Sequence, residues 1–183
     1  MTVTGLVLAA GAGTRLGMPK ALVVRDGVPW VARATRLLLA AGCDRVVVVL
    51  GASATEALAF VPTDDAISTI INVDWSSGMA SSLRAGLEAL SGTAAADDAA
   101  LITLVDTPGL PLDAVRRVLA AGSPLARAVY DGRPGHPVLI SSQHWGPISA
   151  TLAGDHGARA YLEAHAVTDI ECGDLWSGRD IDS

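Results

Sequence analysis

Short apolar segments recur along the chain, and each is continuous rather than alternating with polar residues. Continuous runs of this length, rich in Val, Ile and Leu, are typical of strands that are covered on both faces of a sheet. Six segments fit this description: Thr4–Ala10, Arg45–Leu50, Ile67–Asn72, Ala100–Val105, Ala126–Tyr130 and Pro137–Ser141. The pattern therefore predicts a largely parallel sheet of buried strands.

Segments with helical periodicity lie between these strands. They span Val28–Ala41, Ala54–Val61, Met79–Leu90, Leu112–Ala121, Gln143–Leu152 and Ala158–His165. Gly42, Gly92 and Gly122 follow three of the helices, where C-terminal caps are expected. Alternation of strands and helices favours βαβ units on a parallel sheet, so we predict a three-layer α/β sandwich.

The last two predicted strands are joined differently from the others. Their connector, Asp131-Gly-Arg-Pro-Gly135, is made almost entirely of residues that favour turns. We therefore predict one antiparallel strand or a hairpin at this end of the mostly parallel sheet.

Composition limits the class of protein. A chain of 183 residues is usual for one domain, and we expect residues 1–183 to form a single one. Its 13 basic and 19 acidic side chains give a net charge of −6, which argues against a non-specific nucleic-acid binder. No apolar run approaches the ~20 residues of a membrane-spanning helix. Two cysteines are too few for a disulfide framework, which favours a cytoplasmic protein.

The strongest chemical signal is the glycine-rich turn after the first predicted strand, Leu8-Ala-Ala-Gly-Ala-Gly-Thr-Arg-Leu-Gly-Met-Pro-Lys20. Open α/β sheets bind ligands at the carboxyl ends of their strands, where this turn lies. Its glycines let the backbone present N–H groups to an anion. Arg15 adds a planar fork and Lys20 a point charge, and both groups hold phosphates well. The turn therefore predicts a phosphate site in spite of the net negative charge.

Two well-known phosphate loops fit this turn poorly. A dinucleotide-binding loop has the spacing Gly-x-Gly-x-x-Gly and leads directly into a helix, whereas this turn has Gly-x-Gly-x-x-x-Gly and is followed by Pro19, which interrupts a helix. In dinucleotide-binding folds an acidic residue after the second strand binds the ribose. The corresponding segment here, Val49-Leu-Gly-Ala-Ser53, has no acidic residue. The Gly-Lys-Ser/Thr ending of a Walker A loop is also missing. We therefore favour a nucleoside triphosphate, while an NAD(P)-dependent oxidoreductase with the same loop stays an alternative.

A second candidate residue ends the fourth predicted strand, at the same edge of the sheet. Pro108 biases Thr107 towards an extended backbone, which would hold Asp106 at the tip of the strand. Mg²⁺ in proteins usually takes one or two carboxylates together with substrate phosphates. Asp106 is therefore the first-choice metal ligand.

Six blocks of sequence together resemble a known family. They are the turn Leu8–Lys20, Asn72-Val-Asp-Trp-Ser-Ser-Gly-Met-Ala-Ser-Ser-Leu-Arg84, Leu104-Val-Asp-Thr-Pro108, Gly132-Arg-Pro-Gly-His-Pro-Val138, Gly154-Asp-His-Gly-Ala-Arg159 and Asp180-Ile-Asp182. In this order they are similar to the nucleotidyltransferases related to molybdenum cofactor cytidylyltransferase. The resemblance implies a Rossmann-like, GT-A-like nucleotidyltransferase fold, Mg²⁺, and transfer of a nucleoside monophosphate to a phosphorylated acceptor such as molybdopterin, with release of pyrophosphate.

The resemblance also implies roles for individual residues. Arg15, Lys20 and Asp106 would be catalytic. Nucleotide contacts would come from Leu8, Ala9, Ala10, Gly11, Ala12, Gly13, Lys20, Asn72, Ser82 and Asp106. His136 and Asp155 would face the acceptor, and Asp182 would join Asp106 at the metal. Asp182 immediately precedes the last residue of the sequence.

Specificity depends on a smaller signal. Cytidylyltransferases of this kind carry Ala-Ala-Gly at the first turn and guanylyltransferases tend to carry Ala-Gly-Gly; this chain has Ala9-Ala10-Gly11. The extra methyl group favours CTP, although one methyl discriminates only about 10- to 200-fold. A GTP-dependent guanylyltransferase and a non-catalytic member that hands a cofactor to a molybdenum enzyme therefore remain alternatives.

Overall fold

A seven-stranded sheet forms the centre of the protein in a computed structural model that describes residues 2–92, 95 and 98–180. Its strand order is β5-β4-β1-β6-β8-β7-β9. The strands are β1 (Val3–Ala9), β4 (Arg45–Leu50), β5 (Ile67–Ile71), β6 (Ala99–Leu104), β7 (Leu125–Tyr130), β8 (Arg133–Ser141) and β9 (Thr168–Glu171). Six of these seven run in one direction and β8 runs antiparallel to both of its neighbours, as predicted.

Helices cover both faces of the sheet. They are α1 (Trp30–Ala41), α2 (Ala54–Leu58), α3 (Met79–Ser91), α4 (Leu112–Leu119), α5 (Trp145–Thr151) and α6 (Arg159–Ala164). Helices α1, α2 and α4 pack on one face, and α3, α5 and α6 on the other. Strand β1 serves both layers, because Val7 points into the first and Leu6 and Leu8 into the second. The three-layer α/β sandwich is therefore confirmed, and the low charge content reflects a sheet covered on both sides.

The hairpin is tighter than the sequence suggests. Only Asp131 and Gly132 form its turn, with φ angles of 51° and 74° that match a two-residue turn with both central residues left-handed. Arg133, Pro134 and Gly135 belong to β8. A five-residue connector was therefore the wrong interpretation of this segment.

Three further details of the sequence interpretation are corrected. Strand β9 was missed because its residues, Thr-Asp-Ile-Glu, are polar and line a sheet edge, where charges block unwanted pairing. A short hairpin of β2 (Val24–Arg25) and β3 (Val28–Pro29) lies where no strands were predicted. Gly42 and Gly92 are the C-caps of α1 and α3 as expected, in left-handed and right-handed conformations, respectively, but the C-cap of α4 is Ala120 and not Gly122. In the described part of the chain, no helix has the length and apolarity needed to cross a membrane.

Candidate functional site

The glycine-rich turn leaves β1 at the carboxyl edge of the sheet, between the ends of β4 and β6. This is the position at which the chain order reverses, where open α/β sheets form ligand crevices. Gly13 adopts a φ of +60°, and a Cβ there would lie 2.0 Å from the carbonyl oxygen of Met18. Only glycine fits this close approach, so Gly13 determines how the turn folds back on itself. Gly11, by contrast, has open space around its Cα.

The segment after the turn does not continue as an α-helix. Pro19 leads into a single 3₁₀ turn, Lys20–Leu22, then the β2–β3 hairpin, and α1 begins only at Trp30. The helix N-terminus that receives the pyrophosphate in dinucleotide-binding folds is therefore missing from this position. The prediction that Pro19 interrupts a helix here is confirmed.

Lys20 reaches across the carboxyl edge of the sheet to the end of β6. Its Nζ donates to Oδ2 of Asp106 at 2.6 Å, although the two residues are 86 positions apart in sequence. The side chains are only 18% and 12% exposed, respectively. The sequence predicted both residues at this edge, and the structure joins them in one ion pair.

The second carboxylate oxygen of Asp106 suits a metal ion. Oδ1 is buried and has no hydrogen-bond partner among the described residues. A buried anionic oxygen without a partner is costly, and a hard divalent cation would satisfy it. The described residues contain no group of three or more His, Cys, Asp or Glu side chains arranged to hold a metal.

A cleft of about 410 Å³ opens beside the Lys20–Asp106 pair. Its walls are the glycine-rich turn, the segment that leads into α3, the end of β6, and Asp155. Of the predicted site residues it is lined by Leu8, Ala10, Gly11, Ala12, Gly13, Arg15, Lys20, Ser82, Asp106 and Asp155. Met79 and Thr14 line it too, and sequence reasoning assigned neither a role.

Three of the predicted site residues that the structure describes stand apart from this cleft. Ala9 points into the core on the opposite face of the sheet. Asn72 lies beneath the cleft, and His136 lines a second pocket. Asp182 lies outside the described residues.

Asn72 holds the start of α3 in place. Its side chain is buried, and its Nδ2 donates to the hydroxyls of Ser81 at 2.8 Å and Ser82 at 3.1 Å. Its Oδ1 accepts the backbone N–H of Asp74 at 3.0 Å. Both polar atoms of the Asn72 side chain are therefore used in hydrogen bonds within the protein. Only Ser82 of this network reaches the cleft.

The first turn of α3 is stabilised by backbone contacts. Its N-cap is Gly78, and no side chain caps the helix. The N–H of Ala80 donates to the carbonyl of Gly154 at 3.0 Å. Gly78 has a φ of +112°, and a Cβ there would lie 2.4 Å from the same carbonyl. This close approach brings Asp155 to the wall of the cleft.

His136 lies on β8 and is partly buried. Its backbone carbonyl accepts the hydroxyl of Tyr130 at 2.7 Å. Burial lowers the pKa of His136, and the carboxylates of Asp106 and Asp180 offset only part of that effect. His136 is therefore neutral at pH 7.

The two cysteines are free and buried, in agreement with the absence of any predicted role. Burial, together with the nearby Asp44 carboxylate, raises the pKa of Cys43 to about 12, so its thiol is not a nucleophile at neutral pH.

Comparison with known proteins identifies the family. Residues 5–169 match the MobA-like NTP transferase domain, which accounts for most of the chain. The protein belongs to this family. Its fold is similar to that of Rv0371c from Mycobacterium tuberculosis H37Rv, with a TM-score of 0.81, 25% identity, and coverage of 100% of this chain and 94% of the other. A structure of Rv0371c in complex with manganese has a TM-score of 0.74 at 23% identity and covers 94% and 89% of the two chains.

Curated relatives of this MobA-like protein carry different names. It is 38% identical to nicotine blue oxidoreductase of Paenarthrobacter nicotinovorans, over 99% of this chain and 92% of the relative. It is 34% identical to molybdenum cofactor guanylyltransferase of Rhodobacter capsulatus, with 91% and 83% covered. Molybdenum cofactor cytidylyltransferase of Escherichia coli is 24% identical, with 92% and 91% covered. The family resemblance deduced from the sequence is confirmed, and the relatives do not agree on one activity.

The hydrogen bonds of Asn72 allow a test of whether this residue supports the start of α3 or contacts the nucleotide itself. Asn72→Ala removes the two buried hydrogen bonds to Ser81 and Ser82 and the bond to the N–H of Asp74, so we expect the free energy of unfolding to fall by about 1–3 kcal/mol in urea titrations. Ser77→Ala in the same turn removes only an exposed hydrogen bond and should change it by less than about 0.5 kcal/mol. Wild-type stability combined with weakened nucleotide binding in Asn72→Ala would instead mean that Asn72 touches the nucleotide.

The lowered pKa of His136 predicts a pH dependence of stability. Below the ordinary pKa of histidine, about 6.5, His136 binds a proton in the unfolded chain more readily than in the folded protein. The free energy of unfolding should therefore decrease from about pH 7.5 to about pH 5.5, and less steeply in His136→Gln than in wild type. Urea titrations at both pH values measure this slope, with exposed His156→Gln as the matched control. Equal slopes in the two variants would contradict the assignment.

Proposed function

We propose that this MobA-like protein transfers a nucleoside monophosphate from a nucleoside triphosphate to a phosphorylated small-molecule acceptor and releases pyrophosphate. The Lys20–Asp106 pair beside the glycine-rich turn is the observation that carries the proposal. An ammonium group and a carboxylate lie side by side there, at the carboxyl edge of a sheet, and such groups suit phosphates and a divalent metal, respectively.

The reaction needs positioning more than it needs covalent chemistry. An oxygen of the acceptor phosphate attacks the α-phosphorus, the bond from the α-phosphorus to the bridging oxygen breaks, and pyrophosphate leaves with that electron pair. A phosphate monoester has a second pKa of about 6 and is already ionised at pH 7, so no general base is required. Amides of the turn around Gly13, together with Arg15 and Lys20, would hold the triphosphate and balance its charge.

A divalent cation fits this arrangement. Asp106 would bind it through the buried Oδ1, and Asp182 is the second carboxylate that the family resemblance supplies. When bound, the metal would neutralise charge on the phosphate oxygens. We propose Mg²⁺, and the manganese complex of Rv0371c is consistent with a divalent ion in this fold.

The specific substrates are a finer proposal. Ala9-Ala10-Gly11 favours CTP, and the relatives named as molybdenum cofactor transferases make molybdopterin the first acceptor to test. Pyrophosphate release with CTP, GTP, ATP and UTP, each with and without molybdopterin, measures both specificities in one series. Turnover with GTP alone would move the protein to the guanylyltransferases.

Two substitutions test the proposed roles. Lys20→Ala removes the cation and Asp106→Asn removes the metal-binding charge, so each should reduce pyrophosphate release by about 100- to 1000-fold. Arg25→Ala, on the exposed strand β2 outside the cleft, is the control and should keep wild-type turnover. Urea titrations check that all three variants are folded. Near-wild-type release from Lys20→Ala or Asp106→Asn would contradict the proposal.

An NAD(P)-dependent oxidoreductase is the second candidate, favoured by the 38% identity to nicotine blue oxidoreductase. Two observations count against dinucleotide binding in the usual mode: no helix opens at the glycine-rich turn, and no acidic side chain ends β4. A fluorescence titration with NADPH decides between the candidates. Saturable NADPH binding that CTP does not displace would support the oxidoreductase.

A further inference from the structure

Arg84 ends the second of the sequence blocks that carry the family resemblance, and the proposed function gives it no part. It lies in the middle of α3 and is partly buried. Within the described ranges its side chain does not line the cleft. Any effect of Arg84 on a substrate must therefore pass through another residue.

The guanidinium of Arg84 binds the C-terminal end of α5. Its Nη2 donates to the carbonyl of Leu152 at 2.6 Å, and its Nε donates to the carbonyl of Ser149 at 3.3 Å. Carbonyls at the end of a helix lack partners within the helix, and the helix dipole makes this end favourable for a cation. A forked, positively charged donor therefore satisfies two of these carbonyls at once.

The segment after α5 is attached to α3 at a second point. The N–H of Ala80 donates to the carbonyl of Gly154 at 3.0 Å. Ala80 and Arg84 are about one helical turn apart, so α3 holds Leu152 and Gly154 next to each other. The start of this segment is therefore fixed by the same helix whose first turn forms a wall of the cleft.

Asp155 follows directly and lines the cleft. Its carboxylate lies over the N-terminus of α3, because a Cβ on Gly78 would come within 2.8 Å of Oδ1. Asp155 is exposed, and within the described ranges its carboxylate forms no hydrogen bond or ion pair with the protein. A carboxylate accepts hydrogen bonds and repels phosphates, so its partner in a ligand is a hydroxyl or an amino group.

We propose that Arg84 is a positioning residue for the nucleotide and that it acts through Asp155. By holding the end of α5 against α3, Arg84 fixes the segment that places the carboxylate of Asp155 in the cleft. There the carboxylate accepts a hydrogen bond from a hydroxyl of the ribose or an amino group of the base. The inference rests on the proposed function only in taking the ligand of this cleft to be a nucleoside triphosphate.

Arg116 provides a matched control, because it makes the same kind of contact elsewhere. Its Nη2 donates to the carbonyl of Ala40, near the C-terminal end of α1, at 3.1 Å. This contact lies in the other helical layer, and neither residue lines the cleft within the described ranges. Substitution of Arg116 therefore measures what the loss of an arginine–carbonyl contact does to the protein in general.

Nucleotide binding measured by isothermal titration calorimetry, without an acceptor, tests the assignment. The ligand is the one of CTP, GTP, ATP and UTP, each with Mg²⁺, that wild type binds most tightly. Arg84→Gln removes the forked donor and Asp155→Ala removes the carboxylate. Each should weaken binding about tenfold, the value of one hydrogen bond to a charged group. The double variant should bind no more weakly than Asp155→Ala, because both losses have one cause.

Two further variants separate positioning from general destabilisation. Arg84→Lys keeps the charge and one donor, and should bind the nucleotide within about threefold of wild type. Arg116→Gln should bind it within about twofold of wild type. Urea titrations check that all variants are folded.

Amide hydrogen exchange measures the attachment without any ligand. In Arg84→Gln, the N–H groups of Leu152 and His156, which both donate to backbone carbonyls, should exchange at least about tenfold faster than in wild type. In Arg116→Gln the same two N–H groups should keep their wild-type exchange rates.

The 2′-deoxy form of the same triphosphate separates the two donor groups. Tighter binding of the ribonucleotide by wild type but not by Asp155→Ala would assign the hydrogen bond to the ribose 2′-hydroxyl. Equal preference in both proteins, with weaker binding by Asp155→Ala, would assign it to the base or the 3′-hydroxyl. Either result supports a hydrogen bond from the nucleoside to Asp155.

Additive losses in the double variant would overturn the proposal, because Arg84 would then act independently of Asp155. Wild-type affinity or wild-type exchange rates in Arg84→Gln would overturn it too, as would an equal loss of affinity in Arg116→Gln. Nucleotide binding without pyrophosphate release would refute the proposed function alone. A wild-type protein that binds none of the four triphosphates would overturn both.

Discussion

The contact between Lys20 and Asp106 is the interaction on which the site depends. It joins the turn after β1 to the end of β6, and it places opposite charges 2.6 Å apart in a region that is mostly shielded from water. A pair in this position has two uses. In the proposed function, Lys20 would pass from the carboxylate to a phosphate, and Asp106 would then bind a divalent cation. The net charge of −6 matters little beside this local arrangement.

The sheet makes that contact possible. Because β1 lies between β4 and β6, the turn after β1 and the tip of β6 emerge side by side at one edge. Buried supports then fix the walls of the cleft: Gly13 folds the turn back, and Asn72 anchors the serines at the start of α3. The antiparallel strand β8 carries His136 to a second, apolar pocket. Polar and apolar compartments therefore share one edge of the fold.

Much of this could be predicted from the sequence, because the signals were local. The six apolar strands, the glycine-rich turn after β1 and the position of Asp106 at a strand tip each follow from neighbouring residues. The exposed strand β9 could not be predicted from the sequence, because it contains no apolar run. The structural role of Asn72 depends on serines that the fold brings beneath it. For the second pocket the sequence contains one local signal, the charged residue Arg127 within an apolar strand. The carboxylate partners of Arg127 lie on β9 and α6, and only the tertiary structure shows that they are close to it.

Binding of Mn²⁺ to the protein in the presence of CTP, followed by electron paramagnetic resonance against a protein-free Mn²⁺–CTP reference, tests the central claim most directly. Wild-type protein should bind the metal more tightly with the nucleotide than without it, because carboxylate and phosphate oxygens would share its coordination. Asp106→Asn should weaken this binding at least about tenfold while remaining folded. Unchanged Mn²⁺ affinity in Asp106→Asn would contradict the account, since the metal would then be held somewhere other than beside Lys20.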